Sequence, residues 1–270
     1  MKIYISVDIE GITNVTHQDE ILKGKPGYEE ARTQMTAEAV AACEGALQAG
    51  AREIWVKDAH GTGRNLIPSR LPHEARLIRA WSEDPLPMMQ ELDESFDAVM
   101  LIGYHSGTGR AANPLEHTFT GRFSFIRLNG QETSEFTLNA YYAEYRQIPV
   151  VLVTGDEGVC SEALDLNPQI TSVSVMKGIG GSTVSMHPTL ACQRIQEAAT
   201  KALSNDLSVC RLELPDSFEL EIGFRNHATA NRMSFYPGAK RLGASTISYQ
   251  AEDYFDIKRL ILFAMLSAWS

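Results

Sequence analysis

The sequence predicts an α/β protein: a largely parallel mixed sheet flanked by helices, with a small C-terminal α+β subdomain. Three observations carry this. Over roughly the first two hundred residues, apolar β-branched runs alternate with Ala- and Glu-rich stretches, the pattern of strand–helix crossovers. Asn129-Gly130 lies between two alternating runs, the strongest short hairpin signal, so at least one antiparallel pair interrupts the parallel order. From about Val209 the texture changes to short mixed segments ahead of a final apolar helix. We therefore read residues 1–207 as an α/β core. Residues 208–270 form a C-terminal subdomain or oligomer-contact segment, which can equally be continuous with the core.

Each element has a local reason. Lys2–Ser6 alternates and is rich in β-branched and aromatic residues, a strand. Tyr28–Ala49 is a helix stopped by Gly50. Glu53–Val56 is a strand running into the loop KDAHGTGRN, Ala75–Ala80 another strand, and PLPMMQELD a short helix. FDAVMLI (Phe96–Ile102) is a strongly apolar strand ending in GYHSGTGR. FSFIRL and QETSE form the hairpin, Glu135–Arg146 a helix, and PVVLVT (Pro149–Thr154) a fully buried strand. GDEG opens a further helix with Asp156 as its N-cap or facing the strand-end crevice. SVSVM is a strand, and Pro188–Ser204 a helix with proline in its first turn.

Composition narrows the function classes. With 34 acids against 24 bases, the net charge of −10 argues against nucleic acid, whose phosphates require a basic face. The four cysteines are scattered without a CxxC, as expected for reduced core thiols rather than a thiolate zinc site. The apolar opening is too short for a signal peptide, and LILFAMLSAW falls well below the ~18 residues of a membrane span. A cytoplasmic protein without membrane contact is expected. There is no Walker A motif and no GxSxG elbow, and GIGGS and GTGR match no phosphate loop.

One chemical pattern recurs. KIYISVDIEG, EIWVKDAHG and AVMLIGYHSG are apolar strands that each end in metal-ligand residue types. Sites in open α/β sheets form beyond the carboxyl ends of the strands, so neighbouring strands would bring Asp8, Glu10, Asp58, His60 and His105 together. Asp8 and Glu10, two residues apart, would point to one side, where paired carboxylates repel unless a cation neutralises them. Asp58 serves as a ligand or as a carboxylate orienting the His60 ring. Singly, each of these residues has an ordinary reading as a cap, a solvated acid or a loop histidine; the convergence is what points to metal. His17, His73, His187 and His227 have no such context.

The motifs SVDIEG (6–11), VKDAHG (56–61), GYH (103–105), EHTF around His117 and SEFTLNAYYAEY (134–145) closely resemble the M55 metallopeptidases, the dipeptide-operon D-aminopeptidase family. The likeness extends through PVVLVTGD and YQAEDYFD, in order and with near-identical spacing. It implies a zinc aminopeptidase with two ions per chain. Asp8 would bridge them, Glu10 and His60 would complete one site, His105 and Glu135 the other, and His117 would be a catalytic histidine. It also implies short peptide substrates containing D-amino acids and a homodecamer of stacked pentamers. Carboxylate and imidazole donors suit Zn²⁺ and also Mn²⁺ or Co²⁺. Two other classes use similar residues: a dinuclear amidohydrolase or phosphoesterase acting on a non-peptide substrate, and a non-catalytic small-molecule or peptide-binding protein.

Overall fold

The chain begins with β1 (Lys2–Val7), whose side chains are buried from Ile3 onward. Helix α1 (Tyr28–Gln48) returns the chain to β2 (Glu53–Asp58), which pairs parallel to β1. Strands β3 (Ala75–Ile78) and β4 (Ala98–Tyr104) follow, then the hairpin β5 (Phe123–Leu128) and β6 (Gln131–Glu132). Next come α2 (Glu135–Tyr145), β7 (Val150–Asp156), α3 (Glu157–Leu166), β8 (Thr171–Ile179) and β9 (Ser182–Ser185). The chain continues with α4 (Pro188–Ser204), β10 (Phe218–Phe224), α5 (His227–Met233), β11 (Lys240–Arg241), β12 (Thr246–Ala251) and α6 (Tyr254–Trp269). This computed structural model describes residues 1–269; Ser270, the last residue of the segment 208–270, lies outside them.

The main sheet has the order β3-β2-β1-β4-β7-β8-β9, parallel throughout except for the β9 edge. Its central strands β4 and β7 are buried along their whole length, as expected for a sheet covered on both faces. The alanines of α1 let that helix lie close on α4, where a Cβ on Gly45 would stand 2.5 Å from the Gln196 carbonyl oxygen. A second, antiparallel sheet has the order β11-β12-β10-β5-β6. Its C-terminal strands therefore pair with the central hairpin, β10 against β5. Asn129 (φ 51°) and Gly130 (φ 78°) take the left-handed conformations that a tight hairpin turn requires.

One local expectation changes. PLPMMQELD contributes one 3₁₀ turn, Pro87–Met89, rather than a helix, because prolines punctuate it and Glu91 adopts φ 66°. GIGGS is the β8–β9 turn, and β9 itself was too short and polar to announce a strand. Among the described residues no helix is long and apolar enough to cross a membrane.

Candidate metal centre

Strands β2, β1 and β4 are neighbours, so their carboxyl ends converge as the sequence pattern requires. β1 stops at Val7, and the turn that follows, not strand alternation, aims Asp8 and Glu10. The Asp8 amide donates to the Ile102 carbonyl at 2.8 Å and the Gly11 amide to the Gly103 carbonyl at 2.9 Å, fixing the turn against β4. That approach leaves no room for a side chain. A Cβ on Gly11 would sit 1.8 Å from the Tyr104 carbonyl oxygen, and one on Gly155 at the same distance from the same atom. Gly11→Ala is expected to cost about 2 kcal/mol or more by forcing backbone apart beside His105. Urea unfolding would register this as a lower midpoint, and an unchanged midpoint would refute it.

Five side chains meet here, all nearly buried. Asp8 is central: its Oδ1 lies 3.4 Å from His60 Nδ1, and its Oδ2 lies 3.5 Å from His105 Nε2. Glu10 Oε2 is 3.0 Å from the same His60 nitrogen. Glu135, the first residue of α2 after the Ser134 N-cap, places Oε2 3.5 Å from His105 Nε2. Its Oε1 accepts from the Phe119 amide at 2.6 Å and stands 3.7 Å from His117 Nε2. The His105 and His117 rings stack with centroids 4.5 Å apart.

The outward nitrogens decide what the inward ones present. His60 Nε2 donates to the Ile21 carbonyl at 2.9 Å, His105 Nδ1 to Ser106 at 3.0 Å, and His117 Nδ1 to Leu115 at 2.9 Å. In neutral rings the inward nitrogens are then lone pairs facing carboxylate oxygens, a repulsive arrangement unless a cation lies between them. Glu10 Oε2 and His105 Nε2 are buried without a hydrogen-bond partner. Two donors roughly 2.0–2.1 Å from one tetrahedral zinc stand about 3.4 Å apart, close to the separations around Asp8. Donor type, spacing and unpartnered atoms all fit a metal.

Without metal, protons must take that place. Burial alone would lower His60 and His105, but Glu10 beside the first and Glu135 beside the second, with hydrogen bonds donated to Asp8, hold both well above the imidazole range. Burial would raise Glu10, yet the His60 charge keeps it below the usual carboxylate range. The raised histidines contribute stability below their unfolded value of about 6.5, lost as pH rises through the folded values. The lowered Glu10 contributes stability above about 4.3, lost as pH falls through its folded value. His60 and Glu10 share one interaction, seen from both partners. Metal-free protein is therefore expected to be most stable between about pH 4.5 and 6.5. A thermal midpoint that instead climbed steadily above about pH 8 would contradict the pairing.

Asp58 does not join the five. It accepts from the Asn65 amide at 2.5 Å, the Leu66 amide at 2.7 Å and Asn65 Nδ2 at 2.8 Å, and Asn65 Nδ2 also donates to the His60 carbonyl at 2.7 Å. It thus fixes the loop carrying His60 rather than the ring. Asp156 caps α3 and also accepts from Ser106 N and Oγ at 2.7 and 2.6 Å and from Asn113 Nδ2 at 3.0 Å. It ties down the loop after His105. The i, i+2 spacing hid the first role, and only the N-cap half of the second was visible in the sequence.

The family model described as peptidase M55, D-aminopeptidase, matches residues 1–263. The chain belongs to the M55 peptidase family. It is 33% identical over 266 residues to a D-aminopeptidase of Bacillus subtilis (strain 168), covering 97% of this chain and 96% of that one. A solved structure described as the Zn-dependent D-aminopeptidase DppA from Bacillus subtilis, a self-compartmentalizing protease, superposes with a TM-score of 0.93 at 31% identity. That match covers 100% of this chain and 98% of the other. As an M55 peptidase the chain is a metal-dependent aminopeptidase with the α/β fold read from its sequence.

In this M55 peptidase the cluster of carboxylates and histidines opens into a cavity of about 600 Å³. Its wall is largely apolar and includes Trp81, Phe119, Leu262 and Met265. No sequence signal marks these residues, which come from separate segments. The final apolar helix supplies one side of the cavity through Leu262, Met265 and Leu266.

Proposed function

We propose that the chain is a dinuclear zinc aminopeptidase that releases the N-terminal residue of short peptides, D-amino-acid-containing ones included. The observation that carries this is the placement of Asp8, whose two oxygens face two separate histidines. In this reading Asp8 would be shared by both ions, Glu10 and His60 would hold one, and His105 and Glu135 would hold the other. Bound zinc would supply a Lewis acid that polarises the scissile carbonyl and makes a water nucleophilic at neutral pH.

The chain's residues do the rest. Side-chain exposure separates the histidines: 22% for His117 against 10% for His60 and 0% for His105. We therefore assign His117 to proton transfer rather than to metal. Its Nδ1–H is fixed on Leu115, so Nε2 is the atom that takes a proton and returns it to the leaving amine. The apolar wall keeps bulk water from the reacting groups and strengthens their charges. By its likeness to a self-compartmentalizing protease, the chain is proposed to assemble as a homodecamer of stacked pentamers in the cytoplasm.

The test is hydrolysis of D-Ala-D-Ala beside L-Ala-L-Ala by zinc-loaded protein. Release of alanine with the D-peptide preferred is expected. Release of ammonia or phosphate from non-peptide substrates, with no peptide cleaved, would replace the aminopeptidase by another metallohydrolase.

A further inference from the structure

Helix α3 carries two buried acids that hold the backbone around His105 and Glu135. Asp156, its N-cap, fixes the loop after His105. Glu162, further along the same helix, reaches α2 instead. Its Oε1 accepts from the Ser134 amide at 3.3 Å, from Ser134 Oγ at 2.8 Å and from Thr137 Oγ1 at 2.5 Å. These donors stand on either side of Glu135 at the start of α2. Glu162 Oε2 has no hydrogen-bond partner among the described residues and faces Arg110 Nη1 at 3.7 Å. Arg110 lies in the segment that runs from His105 to His117. Glu162 itself is only 7% exposed.

Helix formation alone does not ask for this acid. Ser134 already caps α2, and Glu135 already places a negative charge in its first turn. A second carboxylate there is repelled by the first and loses most of its water. What Glu162 adds is direction. Of the five clustered side chains Glu135 alone comes from a helix, and it has to meet His105, which a strand end delivers. A first turn held by three hydrogen bonds fixes where the Glu135 carboxylate points. We propose that Glu162 is a positioning residue for Glu135: its grip on the first turn of α2 lets the His105–Glu135 position bind its ion tightly. The assignment rests on the dinuclear reading and adds a residue to it.

Zinc titration of the full chain against a chromophoric chelator tests this. Two binding steps are expected in the unmodified protein. Glu162→Ala should weaken one of them by about 10- to 100-fold, the usual effect of losing a group that orients a metal ligand. The other step should stay within about twofold, because Glu10 and His60 are held by other segments. On a Glu135→Gln background, where that position is already lost, Glu162→Ala should leave the remaining step unchanged. Glu162→Gln keeps an Oε1 acceptor for the same donors and should restore most of the affinity. Should Glu162→Ala not fold, Thr137→Val removes one of the three donors at equal size and should weaken the same step by about threefold or more. Both steps unchanged, both weakened alike, or no rescue by Glu162→Gln would each overturn the assignment. So would an effect that persists on Glu135→Gln, or a Thr137→Val titration identical to that of the unmodified protein. An unmodified protein with a single binding step would overturn the dinuclear reading, and this assignment with it.

Discussion

Asp8→Ala is expected to strip both metals and lower kcat/KM by at least about 10³-fold, or about 4 kcal/mol of transition-state stabilisation. Asp8 is the only side chain of the five whose oxygens face both His60 and His105, so in the proposed dinuclear site its loss would open both metal positions at once. The fold should survive. β1 is anchored by its pairing with β2 and β4, and the turn after it by backbone hydrogen bonds that alanine keeps. Elemental analysis and circular dichroism on the same sample separate the two effects. A variant that retained full metal content would remove Asp8 from the bridge, whatever its activity.

His117→Ala should behave differently, with metals retained and kcat reduced by about 10²–10⁴-fold, the range of general acid–base catalysis. His117 approaches one carboxylate, Glu135, at 3.7 Å, whereas His60 and His105 each stand within 3.5 Å of two carboxylates. Its loss also removes the ring stacked on His105, so a modest change in metal affinity accompanies the rate effect. The contrast with Asp8→Ala is the informative part. If His117→Ala lost a metal in proportion to its activity, the histidine would be a ligand and the proton-transfer assignment would fall. Full activity would remove it from the mechanism.

The half of the site borne on strands was legible because it is local. Each of β1, β2 and β4 is an apolar run followed within a few residues by its acid or histidine, and a parallel sheet places all such ends on one side. Glu135 and His117 were not legible in that way. A glutamate after a serine N-cap has a sufficient local reason in the helix dipole, and His117 lies in an irregular loop ahead of β5. Resemblance brought them to the site, and the structure places both beside His105.

The second sheet shows the same limit. The Asn129-Gly130 turn announced the hairpin, yet nothing local says that β5 pairs with β10, whose contacts span roughly ninety residues of sequence. The cavity wall depends on that distant packing. Phe119 precedes the hairpin and stands against Lys258 of α6, so the substrate-facing surface exists only once the C-terminal helix has docked. Asp58 illustrates the converse. Its spacing to His60 suggested a ligand or a carboxylate orienting the ring, and its carboxylate is instead consumed by three donors of its own loop.

Elemental mass spectrometry on freshly purified protein, with the metal content expressed per chain, bears most directly on the dinuclear assignment. Close to two zinc ions per chain are expected, with alanine release lost on chelation and restored by zinc. One ion or none, and no activity recovered after adding zinc, manganese or cobalt, would contradict it.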